Sequence, residues 1–479
     1  MHRTESLCGK GFPRNEWQFN FSQPVWFRLV RVRRYKMDSR VKRYPAYCGG
    51  VRQTYPHITP GGSFYSRSVV VDNLIFLSAV SPRSTESGET EAKTIEEQVK
   101  ATLDNLKHAV EEAGGSLNNI VRNTIIVRNL ADWARVRKAQ LEYYQRNAPL
   151  LAQDPPASTF ITANLEDPDF LVQIDALGLV TRGEPGWEMK TYPAYYAGVK
   201  QGYPHVAPGE PKFARSVVVG NVVFCSGANA RSLVSGKVET DDVEEQMTVA
   251  LDKVRMTMEE AGGSLSNIVK TLIRLKHVSA DYSRMRKAET EYYLKHAPAL
   301  AEDPPASTVC QAHFDKEEYL AGVEAIGLVS RNRPDCKMKK YPAYYGGIKY
   351  AYPHVAPGHP MFSRSAVVGN LIFCSGATGL SLGSFKQTSN DINDQMVMTM
   401  NKLKTYMEQA GSSMENIVKT IIYIRKMDDY PALRKAELEY YQIHAPALVG
   451  EPPASTVIEA PLHQPETLME IEVFGVMEA

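Results

Sequence analysis

The sequence predicts an α+β protein made of three tandem copies of one domain, and three observations carry that prediction. Landmarks recur in register: Tyr-Pro-Ala-Tyr begins at Tyr44, Tyr192 and Tyr341, Arg-Lys-Ala at Arg137, Arg286 and Arg434, and Pro-Pro-Ala-Ser-Thr at Pro155, Pro304 and Pro452, always 148 or 149 residues apart. Within each copy, short β-branched runs alternate with segments of helical periodicity. The segments between copies, Arg182-Gly-Glu-Pro-Gly186 and Arg331-Asn-Arg-Pro-Asp335, are short, polar and rich in turn residues. The copies cover about 41–181, 189–330 and 338–479. A unit of this length is a whole domain; solenoid repeats run to roughly 20–50 residues.

Each copy reads through the same elements. In the third, residues 365–375 form two apolar runs around Gly369-Asn370, a hairpin with its turn. A helix follows; in the first copy Ile95, Val99, Leu103, Leu106 and Val110 fall three and four residues apart. Gly114-Gly115 stops that helix and Gly262-Gly263 its counterpart. A strand comes next (120–127), then a second helix over about 132–145. Two strands close the unit, at 456–462 and 468–476 in the third copy. The order is β-β-α-β-α-β-β, a sheet with both helices on one face.

Composition narrows the function. Hydrophobic residues make up 43% of the 479, and 55 Lys and Arg face 54 Asp and Glu for a net charge of +1. That balance lacks the basic excess of a dedicated nucleic-acid binder, and no apolar run reaches the ~18–20 residues of a membrane span. Cys8, Cys48, Cys225, Cys310, Cys336 and Cys374 include no Cys-x-x-Cys pair and are too sparse for a disulfide framework. Cys225 and Cys374 stand where the first copy has Leu77, which reads as core. Residues 1–40 lie outside the repeat and carry Arg28, Arg31, Arg33, Arg34 and Lys36 against few acids. They read either as a disordered extension, leaving the protein cytoplasmic, or as a mitochondrial presequence.

With Val368-Gly-Asn-Leu-Ile-Phe-Cys-Ser-Gly376, Glu408-Gln-Ala-Gly411, Asn416-Ile-Val-Lys-Thr420 and Glu470-Ile-Glu-Val473 in that order, each copy resembles the Rid (YjgF, reactive-intermediate deaminase) family from end to end. The resemblance implies chorismate mutase-like domains, three of them forming a single-chain pseudo-trimer. The chain would then be monomeric, with helices outside and small-molecule clefts between domains. It also implies cofactor-free hydrolysis of the imine or enamine forms of 2-amino acids, with no metal. An arginine of that family's Pro-Ala-Arg strand grips the substrate carboxylate, and here that position is Ala157, Ala306 and Ala454. Ordinary 2-imino acid deamination is therefore not expected without another grip.

Other family positions carry over residue by residue. Glu324, Glu472 and Asp175 match the carboxylate that positions water or shuttles a proton. Ser226-Gly227 and Ser375-Gly376, with Ser78-Ala79 in the first copy, match the substrate-binding pair. Tyr65, Phe213 and Phe362 match an aromatic near the start of the fold. Arg67, Arg215 and Arg364 stand where the family usually has Gln. Arg137, Arg286 and Arg434 stand near a cleft-facing Asn. Either arginine set would restore an anion grip, since a guanidinium fork suits a carboxylate; the bland alternative pairs them with acids such as Glu142 or Glu291. His57, His205 and His354, in Tyr-Pro-His-x-x-Pro-Gly, are acid–base candidates or simply turn residues. The paired tyrosines at 143–144, 292–293 and 440–441 read as packing. A non-catalytic metabolite-binding protein is the alternative to an enzyme. RNA cleavage, attributed to some family members, fits the neutral charge poorly.

Overall fold

A computed structural model of the chain describes residues 40–48, 51–52, 65–196, 199–200, 202–203, 207–211, 213–314, 316–331, 333, 336–345, 348–349, 360–381, 386–387 and 389–478. The predicted elements form. In the first copy the hairpin pairs Ser66–Val71 with Leu74–Leu77, and its counterparts turn at Gly220 (φ 57°) and Gly369 (φ 58°). Asp72 takes the same left-handed backbone (φ 51°), which Asp tolerates better than most residues. The first helix spans Ile95–Glu112, opened by a Thr94–Glu97 capping box, and buries all five of the residues predicted for its inner face. The middle strand is Ile120–Val127 and the second helix Trp133–Asn147.

Differences from the expected elements are local. The Pro-Pro-Ala-Ser-Thr strand of the third copy runs Ala454–Glu459 and stops before Pro461, which has no N–H to donate. The short helix Pro149–Gln153, with Pro in its first turn, was not expected. Neither was an opening strand, Val41–Pro45, Met189–Pro193 or Met338–Pro342, which pairs antiparallel with the first hairpin strand of its copy. Its lysines and arginines mask a strand whose residues are mostly half-buried.

Within the first copy the closing strand Val172–Leu179 lies between Leu74–Leu77 and Ile120–Val127, and Ile120–Val127 pairs parallel with Ala157–Thr162. Each copy then joins the next through one parallel contact: Ala157 with Ala214, Ala306 with Ser363, and Ala454 with Ser66. The third join returns to the first copy, so 20 of the described strands make one closed sheet. Its two faces are buried differently. One packs against the helices in three separate cores, one per copy. The other builds a single core shared by all three, in which Phe474 lies 6.1 Å from Phe76 and 5.5 Å from Phe373, ring centre to ring centre. No helix among the described residues is long and apolar enough to cross a membrane.

Candidate functional site

The joins bring most of the predicted site residues together. Ala157, Ala306 and Ala454 are fully buried and belong to the shared core, so the place of the family's arginine is filled by a methyl group packed inward. The next residues of the same strand reach across the join. Ser226 Oγ accepts from Ser158 N at 2.7 Å and donates to Ala214 O at 2.5 Å; Ser375 and Ser78 do the same for Ser307 N and Ser455 N, each at 2.7 Å. The backbone N–H of Gly227 donates to Thr159 Oγ1 (3.1 Å), that of Gly376 to Thr308 (3.0 Å) and that of Ala79 to Thr456 (3.1 Å).

All three predicted carboxylates are buried and face a cation from the preceding copy. Lys419 Nζ is 2.5 Å from Asp175 Oδ1, and Lys270 Nζ is 2.5 Å from Glu472 Oε2. Thr308 Oγ1 and Tyr423 Oη also donate to Glu472, at 2.6 and 3.2 Å. Glu324 is held by two guanidiniums, Arg122 of the first copy and Arg274 of its own. Removing one partner of such a buried pair leaves an uncompensated charge, about 3–5 kcal/mol by general experience. These cations were missed in the sequence. The available signal was a basic residue recurring at one register position, 122, 270 and 419, of three buried strands.

The two arginine sets part company. Arg67 and Arg215 lie 3.2 Å from Glu112 and Glu260 at the ends of their first helices, and Arg364 donates to Gln409. Arg137, Arg286 and Arg434 are buried at the joins, where each donates to the serine of the Pro-Pro-Ala-Ser-Thr strand: Ser158 at 3.0 Å, Ser307 at 3.1 Å and Ser455 at 2.8 Å. Their second partner is neither Glu142 nor Glu291, as expected, but the residue three positions on, one helical turn away. For Arg286 and Arg434 that partner is Glu289 or Glu437, each at 2.6 Å. For Arg137 it is the neutral Gln140 at 3.0 Å, and the guanidinium also covers the Phe160 ring at 5.6 Å. The first of three equivalent arginines has thus lost its carboxylate.

A cavity of about 320 Å³ opens at the first–second join. The first copy contributes Arg137, Ser158 and Thr159, and the second contributes Phe213, Gly227 and Arg274. Of the described residues lining it, four are basic (Arg137, Arg231, Arg274 and Lys316) and none is acidic. Arg215 borders a smaller adjoining space of about 30 Å³ together with Phe213, Ser226 and Gly227. At the second–third join a side chain occupies the corresponding region: a Cβ on Gly376 would collide with the carboxylate of Glu470. Burial and the neighbouring Glu472 push the Glu470 carboxyl up to about 8. At the third–first join Tyr65 has its phenol pushed up to about 12 by burial and by the Glu166 carboxylate. Phe362 is half-buried. Burial pushes the Cys225 and Cys374 thiols up to about 12, alone at Cys225 and against Lys270 but with Glu472 at Cys374, as their core placement requires. His57, His205 and His354 lie outside the described residues.

A family model described as Endoribonuclease L-PSP matches residues 59–180, 206–327 and 355–477, one match per copy. The chain belongs to this family. A RutC family protein of Pyrococcus abyssi is 31% identical over 113 residues, which cover 24% of this chain and 84% of that one. The 3-aminoacrylate deaminase RutC of Acinetobacter baylyi is 25% identical over 127 residues, 26% of this chain and 92% of the relative. A 2-iminobutanoate/2-iminopropanoate deaminase of Dermatophagoides farinae is 29% identical over 86 residues, 18% of this chain and 67% of its own. Each relative spans a length within a single copy, so the three-copy chain has the family's domain three times over.

Proposed function

We propose that the working site is the cleft between the first and second copies, where the protein binds a small organic anion of the imine or enamine class and hydrolyses its C–N bond. The observation that carries this reading is Arg137. It is a buried guanidinium on the wall of a basic cavity, with Gln140 where both sister arginines have Glu. A buried cation without a carboxylate is costly, and a ligand's carboxylate offsets that cost. Arg137 would thus take over the grip that Ala157 lacks. Water adds to the imine carbon, the nitrogen leaves as ammonia and a 2-oxo acid remains. Among the described residues no carboxylate lines the cavity; Glu324 lies behind its wall, paired with Arg274, and acts as the base that takes the water's proton when that pair opens toward the cavity. Asp175 and Glu472 hold their joins.

A second reading, binding without turnover, is favoured by one observation: the Gly227 N–H already donates to Thr159 Oγ1 and is not left for a ligand. Ammonia release from freshly generated 2-iminobutanoate, with the full chain, separates the two. Acceleration over the spontaneous rate, falling at least tenfold in Arg137→Gln, is the expected result. Arg137-dependent binding of the 2-oxo acid with no acceleration would select the second reading.

A further inference from the structure

The three joins are copies of one another, so differences between them show what the first–second cleft has been altered to hold. Register equates Phe160 of that cleft with Val309 and Val457 at the other two. It equates Phe314 with Leu462 and Leu165, and Gly322 with Glu470 and Gln173. In this cleft two positions that are aliphatic at the other joins are phenylalanine, and one that carries a long polar side chain there is glycine. Trp133 stands edge-on to Phe160 at 6.4 Å, and Phe314 edge-on to Tyr319 at 6.3 Å, so rings from both copies line the cavity. The Phe314 ring packs directly on Gly322, in the place a side chain would take: a Cβ there would stand 2.8 Å from Cε1. The same cleft is the one whose arginine has lost its acid.

Resting on the reading of this cleft as an anion site gripped by Arg137, we infer that its ligand is an aromatic carboxylate, with the ring against Phe314 and Phe160. Aromatic walls favour a planar ring over an alkyl chain through edge-to-face and offset contacts. Gly322, where the other copies carry Glu470 and Gln173, lets the Phe314 ring lie on the backbone as part of that wall. Arg137, bonded to the neutral Gln140, supplies the positive charge for one anion and discriminates against amines.

Calorimetric titration of the full chain with phenylacetate and, separately, with butanoate tests this. Phenylacetate should bind at one site per chain and at least tenfold more tightly than butanoate. Phe160→Val and Gly322→Gln, which restore residues of the other copies, should each bring that preference below threefold. Phe160→Val is the safeguard should the crowded Gly322→Gln fail to fold. Equal affinity for the two probes, with both lost in Arg137→Gln, overturns the aromatic inference and leaves the anion site standing. Binding indifferent to Arg137→Gln, or no binding of either probe by the folded chain, overturns both.

Discussion

Where the second copy has Gly322 under the Phe314 ring, the third carries Glu470, and that exchange makes two equivalent clefts chemically different. The Glu470 carboxyl lies among Glu472, Lys270, Arg286 and the backbone of Val309, and burial holds it protonated up to about pH 8. The unfolded chain releases this proton near the ordinary carboxyl value of 4.5. The folded state therefore holds more protons than the unfolded one between these values. The stabilisation is fully present below about 4.5 and is lost as pH rises through about 8. Glu470→Gln should be nearly neutral at pH 5 and progressively stabilising toward pH 9, at a slope of no more than about 1.4 kcal/mol per pH unit. Thermal melts of both proteins across that range measure it. Melting curves that stay parallel would exclude the linkage.

At the scale of elements, the serine after each hairpin stitches one copy to the next, and it does so with both hydroxyl functions. Ser226→Ala would strip the buried Ser158 N–H of its acceptor, and an unsatisfied buried donor costs about 1–3 kcal/mol. Ser226→Ala should lower the denaturation midpoint accordingly, whereas an alanine at the exposed Ser235 should not; equal midpoints for both variants would remove the serine from the join. Much of the element order was legible beforehand, because hairpins, helices and a β-branched strand announce themselves by local periodicity, repeated three times. The joins were not legible in that way. Ser226 reads as a substrate-binding residue from its motif, yet its partners Ala214 and Ser158 are 12 and 68 residues away. Arg137 was legible as a candidate only by its recurrence. Its distinction from Arg286 and Arg434 lay in Gln140 against Glu289 and Glu437, a difference visible in the sequence and meaningless until burial is known. The opening strand escaped because a half-buried edge strand with charged residues lacks clean alternation.

For the whole molecule, closure of the sheet sets what the covalent linkers have to do. The third–first join has no linker at all, yet it carries the same parallel strand contact, the Ser78–Ser455 bond and the Lys419–Asp175 pair as the joins between consecutive copies. If noncovalent contacts suffice there, they suffice elsewhere. The segment between the first two copies is suited to a test, since Glu184 is exposed in a loop with Gly183 and Gly186 at positive φ. A single cut at a site-specific protease sequence inserted after Gly183 should leave the two fragments eluting together at the size of the uncut chain. The first–second join would still hold through Ser226, the Arg122–Glu324 pair and the shared core. The cavity is built from both fragments, so the nicked protein should also keep its ligand-binding stoichiometry. Separation of the fragments under native conditions would show that the linker, and not the join, holds the first copy in the ring.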